Sequence, residues 1–146
     1  MAKRSPLRSA RRDARQGKSP STQAGEFVRD EIHRIRSGKH GARSSKQAIA
    51  IGLSEARRAG VKLPAPRGGS SRTRKKAVLD TRRGRSGRKP SPRRSQATLR
   101  ALKREGTASA SSSALSQQAR RAARGRTTAE RRRAARKAAG TRKKAS

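Results

Sequence analysis

Cysteine, tryptophan and tyrosine are all missing from this chain, and Phe27 is its only aromatic residue. The lack of cysteine excludes a disulfide framework and a zinc site built on thiolates. With one aromatic side chain, single-strand nucleic-acid binding by base stacking has little support. Hydrophobic residues make up only 28% of the 146, so a large core that spans the whole chain is excluded.

Acidic residues are also scarce, because eight Asp and Glu face 43 Lys and Arg, which gives a net charge of +35. Residues 21–64 contain nine of these bases and four of the acids, and the rest of the chain contains 34 and four. Most of the larger apolar side chains lie in residues 21–64. Like charge with low hydrophobicity does not offset the entropy lost on ordering a chain. We therefore expect one small folded unit between disordered basic arms.

Long apolar runs are missing as well, and no segment approaches the ~18 residues of a membrane span. The N-terminus, MAKRSPLRSARR, is basic but lacks the apolar core of a secretory signal. Its Arg- and Ser-rich composition also fits an organelle transit peptide. Because the helices lack aromatic anchors, we expect no membrane partner.

The residues that enzymes need are few. His33 and His40, the two histidines, lie across a glycine-containing loop with no cysteine and few carboxylates nearby. No nucleophile–base pair or phosphate-binding glycine loop is visible. Glu31 and Glu55 are each interpreted as a member of a structural ion pair with a base rather than as an acid/base pair. We expect no catalytic site, metal or cofactor, with one histidine on a helix surface and the other in a loop.

The clearest helix is predicted over about residues 45–59, within SSKQAIAIGLSEARRAGVKLP. Ser44 and Gln47 have the spacing of a capping box at its start. Gly60 can end it in the left-handed conformation, and Pro64 prevents its continuation.

The two faces of this helix are predicted to differ. Because glycine in a helix interior costs about 1 kcal/mol relative to alanine, a strip of small residues that includes glycine indicates close packing on another backbone. This strip consists of Ala48, Gly52, Ala56 and Ala59. The opposite face is predicted to be solvated and basic, and it consists of Lys46, Gln47, Ser54, Arg57 and Arg58.

An earlier helix is predicted over about residues 22–37, with Ala24, Phe27, Val28, Ile32 and Ile35 on one arc. Glu31 falls inside this arc, so we expect it to pair with Arg34 and with a base from the second helix, since a lone buried charge is costly. The short connection predicts an antiparallel hairpin. A unit this small is marginal alone, so we expect it to dimerise or to dock another segment.

The flanking regions are interpreted as mostly unstructured. The Ser-Pro pairs at residues 5–6 and 19–20 are predicted to break any helix in a disordered arm, residues 1–20. Residues 65–91 are interpreted as a basic Gly/Ser/Pro linker with at most a turn of helix at residues 75–82, extended from 84 to 90. A third helix is predicted over about residues 92–105, within a unit that ends at residue 106, because Ser91 and Pro92 can start it and Gly106 can stop it.

Residues 107–146 form a low-complexity tail of Ala, Ser, Arg and Lys. We expect coil that becomes helical when phosphates neutralise its bases, with a capping box at Thr127 and Glu130. The predicted fold class is therefore mostly α: a helical hairpin plus a third short helix, flanked by disordered basic arms.

The excess of bases predicts nucleic-acid binding, because each Lys or Arg that neutralises a phosphate releases a counterion and adds affinity without sequence preference. The candidate contact residues lie in the hairpin, the linker, the third helix and the tail. They are Lys39, Arg43, Lys46, Arg57, Arg58, Arg72, Arg74, Lys75, Lys76, Arg82, Arg83, Arg85, Arg88, Lys89, Arg93, Arg94, Arg131, Arg132, Arg133, Arg136 and Lys137.

Three finer hypotheses are open. The N-terminus of the second hairpin helix either holds a phosphate among Lys39, His40, Arg43 and Lys46 or is an ordinary capped helix. Its polar face, including Gln47, Ser54 and Arg57, either reads a major groove or is solvated. Residues 83–85 (RGR) and 87–90 (GRKP) either act as AT-hook-like minor-groove elements, which they resemble imperfectly, or contact only phosphates.

The central sequence resembles a known family. Residues 21–64, and most distinctively GARSSKQAIAIGLSEARRAG, are similar to a bacterial domain of unknown function found in small, highly basic proteins often labelled DNA-binding. The segment GRSGRKPSPRRSQATLRALKRE also recurs in close relatives, and the tail is similar in composition to linker-histone tails. The resemblance implies a bacterial, cytoplasmic, nucleoid-associated protein and supplies no catalytic or binding residues.

The sequence thus predicts a histone-like DNA-binding protein with little sequence preference, and a homodimer through the 21–64 hairpin is one way to make it bivalent. One alternative is an RNA- or ribosome-associated basic protein. Another is a protein-interaction hairpin whose cationic arms are accessory.

Overall fold

The computed structural model describes residues 5–145, and over that range the chain is all-helical, without strands. A 3-10 turn, Ala108–Ala110, lies between the fifth and sixth helices. The helices are α1 (Pro6–Arg15), α2 (Pro20–Arg36), α3 (Ser45–Arg58), α4 (Ser71–Ser86), α5 (Pro92–Lys103), α6 (Ser112–Arg124) and α7 (Thr128–Ala145). The α-helical fold class is confirmed, while the detailed organisation differs from the prediction.

Helices α2 and α3 form the predicted hairpin. Residues early in α2, Ala24 and Phe27, share a cluster with Ala56 late in α3. Ile35, late in α2, meets Ala48 early in α3. This pairing of early with late residues makes the two helices antiparallel.

The predicted ends of α3 are confirmed. The Ser44 hydroxyl accepts the Gln47 N–H at 3.1 Å, while the Gln47 side-chain oxygen Oε1 accepts the N–H of Arg43 rather than that of Ser44. At the other end Gly60 has φ +98°, and the N–H groups of Gly60 and Val61 bond back to the carbonyls of Arg57 and Ala56. Such paired bonds are the Schellman stop, which needs glycine at the left-handed position.

The strip of small residues on α3 packs against α2. A Cβ on Gly52 would lie 2.7 Å from the Cα of Val28, so the two backbones are in direct contact. Ala48 and Ala56 are completely buried beside it. Ala59 is exposed, against prediction, because it is the C-cap residue beyond the contact.

The prediction of a disordered N-terminal arm is wrong over residues 6–15, and residues 1–4 lie outside the described range. Pro6 and Pro20 each occupy the first turn of a helix, where the missing N–H costs nothing and the fixed φ is already helical. Ser5 and Ser19 cap the N-H groups of residues 8 and 22. The Ser-Pro pairs therefore start helices rather than break them.

The linker and tail also contain more helix than predicted. Helix α4 occupies most of residues 65–91 and ends in a left-handed Gly87, so the expected extended conformation is wrong at 84–87. Helices α6 and α7 occupy most of the tail, and the Thr127–Glu130 capping box makes both of its bonds, at 3.2 and 2.8 Å. The predicted third helix is confirmed as α5, capped by Ser91, although it ends two residues early.

The hairpin completes its core with other segments of the same chain. Ala10 of α1 joins the cluster around Phe27 and Val61, with Leu7 packed against it. Ala110 of the 3-10 turn, fully buried, joins the cluster around Ile35 and Ala42. Docking of another segment, one of the two predicted routes to a complete core, is therefore present within the chain.

Candidate nucleic-acid interface

Several bases predicted to contact nucleic acid are instead used inside the fold, and Arg57 is the clearest case. It is buried, and its guanidinium donates to the carbonyls of Pro64 (3.0 Å) and Leu63 (3.4 Å). Burial lowers its pKa, with the charge of Asp80 acting in the opposite direction. Arg57 thus holds the chain after α3 in place, and its side chain is not presented to a major groove.

The polar face of α3 is covered by α4, so the predicted solvated face is wrong for Ser54 and Arg57. Asp80 of α4 is 1% exposed and accepts a hydrogen bond from Ser54. Its carboxylate also lies 3.4 Å from Arg58 Nε and 3.1 Å from Lys76 Nζ. This four-residue group, the Asp80 cluster, joins the two helices. The only sequence signal for it was one acid isolated in a long basic segment.

The Asp80 carboxyl is held in its ionised form. Burial pushes its pKa upward, but the hydrogen bonds from Ser54 and Lys76 and the charges of Lys76 and Arg58 outweigh burial and leave the pKa below its ordinary value. Arg58 and Lys76 are consequently partners of an internal anion, and we remove both from the set of free phosphate contacts.

A second ionic group lies between α2, α3 and their connection. Glu31 is fully buried, with Arg34 at 2.9 Å, as predicted, and His40 Nε2 at 3.4 Å. A base from the second helix of the hairpin was predicted as the other partner of Glu31, but that helix, α3, instead contributes an acid. This acid, Glu55, pairs with the same Arg34. Burial raises the pKa of Glu31 despite the charges of Arg34 and His40. His40 lies in the loop between α2 and α3, as predicted, but is buried there, while His33 is exposed on α2 as predicted.

The first residue of α3 and the connection before it bond to later parts of the same chain. The N–H groups of Gly41 and Ala42 donate to the carbonyls of Leu102 and Gly106, at 2.9 and 3.1 Å. The Ser45 hydroxyl donates to the Ser109 carbonyl. These contacts favour the ordinary capped helix over the phosphate site, although Lys39, Arg43 and Lys46 around it remain exposed.

The first AT-hook-like segment lies inside α4. Residues 83–85 are helical, and a Cβ on Gly84 would collide with the Arg57 carbonyl, so this glycine permits contact between α4 and α3. An AT-hook lies extended in the minor groove. The glycine therefore has a packing role, and the non-helical stretch between α4 and α5 is residues 87–91.

Most of the remaining candidate bases are exposed on α4, α5 and α7 and in the α4–α5 connection. Arg83 is half-buried, Arg74 also donates to the Gly69 carbonyl, and Lys137 donates to the Ser21 hydroxyl at 2.7 Å. Apart from Lys76, which is exposed but paired with Asp80, the exposed candidates in these elements are Arg72, Arg74, Lys75, Arg82, Arg85, Arg88, Lys89, Arg93, Arg94, Arg131, Arg132, Arg133, Arg136 and Lys137.

All eight carboxylates of the chain are engaged within the fold. Seven lie within 4 Å of a base: Asp13, Glu26, Asp30, Glu31, Glu55, Asp80 and Glu105. The eighth, Glu130, caps α7. Except for Lys76, which pairs with Asp80, and Arg133, which lies in the field of Glu130, the candidate bases exposed on α4, α5 and α7 make no ion pair with an acid.

Helix α7 lies against the start of α2 through polar contacts. Besides Lys137, Lys144 reaches the Gly17 carbonyl at 3.1 Å, and a cleft of about 670 Å³ separates α7 from residues 19–22. None of the α7 side chains is buried. This helix therefore presents nearly all of its positive charge to solvent.

Within residues 5–145, no three His, Asp or Glu side chains are arranged to hold a metal ion. Over the same range, every helix falls short of the length or the apolar content that crossing a bilayer requires.

Comparison with known proteins gives a match for the central part of the chain. Neither a curated protein nor a solved structure matches the chain. Residues 15–67, which contain α2, α3 and their connection, match a family of unknown function, DUF6496.

Proposed function

We propose that this protein binds duplex DNA largely without sequence preference, through phosphate contacts made by the exposed bases of α4, α5 and α7. The observation that carries the proposal is that all eight carboxylates are already engaged in ion pairs or in a helix cap, which leaves most of those bases without an acidic partner. A polyanion is the partner that such a surface favours, because each phosphate contact releases a counterion.

The fold supports this function because it holds several bases on one helix, whereas a disordered tail would leave them without fixed positions. Arg131, Arg132, Arg133 and Arg136 all lie in one helix, α7, and all are exposed. Helical phasing spreads them around α7, which suits contacts to phosphates rather than reading of base edges. We infer a protein that covers or bridges duplexes, with a nucleoid-associated role.

A salt titration of duplex binding tests the proposal. We expect log K for the full chain to fall steeply with log salt, with a slope of about −0.9 for each phosphate neutralised. Changing the four α7 arginines to glutamine should make the slope shallower by up to about 3.6. Changing the same four to lysine keeps the charge and should keep the slope.

Binding that is insensitive to salt, or a lysine variant as weak as the glutamine variant, would refute phosphate neutralisation by these residues. Competition between duplex DNA and folded RNA at one salt concentration separates DNA binding from the RNA- or ribosome-associated alternative. Preference for folded RNA at matched phosphate concentration would favour that alternative.

A further inference from the structure

A groove with an apolar floor lies between α4 and the extended chain that follows α3. It has a volume of about 540 Å³. Its floor includes Val61, Leu63 and Pro64 on one side and Val78 on the other. Val78 is 54% exposed, which leaves a β-branched apolar side chain open to water beside other apolar residues.

Both walls of the groove are held in place. Arg57 fixes one wall by its bonds to the carbonyls of Leu63 and Pro64. The Asp80 cluster and the close approach of Gly84 to the Arg57 carbonyl fix the other wall, α4. Because the groove is preformed, binding would not incur the entropy cost of ordering its walls.

The rim of the groove is basic. Lys62, Arg82 and Arg85 line it and are exposed, and no carboxylate lines it. Because every acid of the chain is engaged elsewhere and the net charge is +35, another segment of this chain or a second copy would bring like charge. A nucleic acid would suit the rim but would leave the apolar floor uncovered.

We infer that this groove binds a short acidic segment of another protein, whose apolar side chains cover Val78, Leu63 and Pro64 while its carboxylates meet Lys62, Arg82 and Arg85. Such an amphipathic acidic segment matches both the floor and the rim. The interaction shares Arg82 and Arg85 of α4 with the proposed duplex contacts and leaves the α7 bases free for phosphates.

The test uses the full chain and fluorescently labelled synthetic peptides near physiological ionic strength. The probe is a Glu-rich peptide that carries a few Leu; one control replaces every Leu by Ser and another replaces every Glu by Gln. Anisotropy should show the first peptide binding more tightly than either control. Val78→Gln should weaken it about tenfold, the effect of losing one buried valine.

Leu79→Gln is the matched control, because Leu79 is the next residue, is 42% exposed and does not line the groove. We expect this variant to bind the peptide within about twofold of the unaltered chain, and Val78→Thr to lose less than Val78→Gln. Circular dichroism should show equal helix content in all variants, and all should retain duplex binding, which keeps this test separate from that of the proposed function.

Equal binding of the Leu and Ser peptides would overturn the inference, because charge alone would then explain the affinity. Equal weakening by the Val78 and Leu79 changes would also overturn it. Selective loss of duplex binding in Val78→Gln, with peptide binding intact, would assign the groove to nucleic acid instead.

Discussion

At the scale of single residues, the position of α4 depends on Asp80. Its buried carboxylate holds Ser54 and Arg58 of α3 together with Lys76. An uncharged amide in its place would leave Arg58 without its anion, so we expect Asp80→Asn to lower the free energy of unfolding by about 1–3 kcal/mol.

Urea denaturation measures this change, and Glu26→Gln is the control. Glu26 lies 3.7 Å from Arg29, whose side chain is 80% exposed, so screening by water should limit that effect to about 0.5 kcal/mol. Equal losses in the two variants would mean that Asp80 has no special role.

The same carboxyl should make stability depend on acid pH. The folded pKa of Asp80 lies below its ordinary 3.8, so its contribution is complete above that value and is lost as pH falls through the folded pKa. The difference in free energy of unfolding between the unaltered chain and Asp80→Asn should therefore narrow below about pH 4.

Glu31 should act in the opposite direction. Its pKa is raised above 4.5, so its contribution to stability is present below pH 4.5 and is lost as pH rises through the folded pKa. The free energy of unfolding of the unaltered chain, measured relative to that of Glu31→Gln, should thus decline with rising pH. If the difference between the unaltered chain and either variant does not change with pH, the pKa direction assigned to that residue is contradicted.

At the scale of secondary-structure elements, the contact between α2 and α3 requires glycine at position 52. An alanine Cβ there would lie 2.7 Å from the Val28 Cα, a backbone atom that cannot move independently of α2. We expect Gly52→Ala to destabilise the protein by about 1–3 kcal/mol in spite of the better helix propensity of alanine.

Gly25→Ala is the matched control for that change. Gly25 lies inside α2, and a Cβ there would meet nothing within 4 Å. Only propensity then acts, so this variant should be more stable by up to about 1 kcal/mol in the same melting experiment. A stable Gly52→Ala variant would show that the helices are not in direct backbone contact.

At the scale of the whole molecule, the segment that matches the family does not contain its whole core. Residues 15–67 lack Leu7 and Ala10 of α1, and Ala110 beyond α5. We expect residues 15–67 alone to melt without a cooperative transition, and residues 5–111 to regain one, because the longer fragment includes both sets of partners. Thermal circular dichroism distinguishes the two, and a cooperative melt of the shorter fragment would contradict this expectation.

Local signals predicted the ends of the elements well. The Ser44 cap, the Gly60 stop and the Ser91 start each depend on a few adjacent residues, and each is present. The prolines at 6 and 20 were misinterpreted because a residue that cannot continue a helix is also well suited to begin one. The helices of the basic flanks were missed because like charge outweighed alanine content in the prediction, whereas in the structure the Asp80 cluster fixes α4.

The sequence alone determined the charge imbalance, the apolar arc of α2, the small-residue strip of α3 and the caps, because these depend on composition and on neighbours along one helix. Only the tertiary structure decided which bases pair within the fold. Arg57, Arg58 and Lys76 look like their neighbours in sequence, and the packing of α4 on α3 turns them into internal partners. The physical reason is that a charge pairs with an opposite charge that lies close to it in space. That distance is set by the packing of residues that are far apart along the chain.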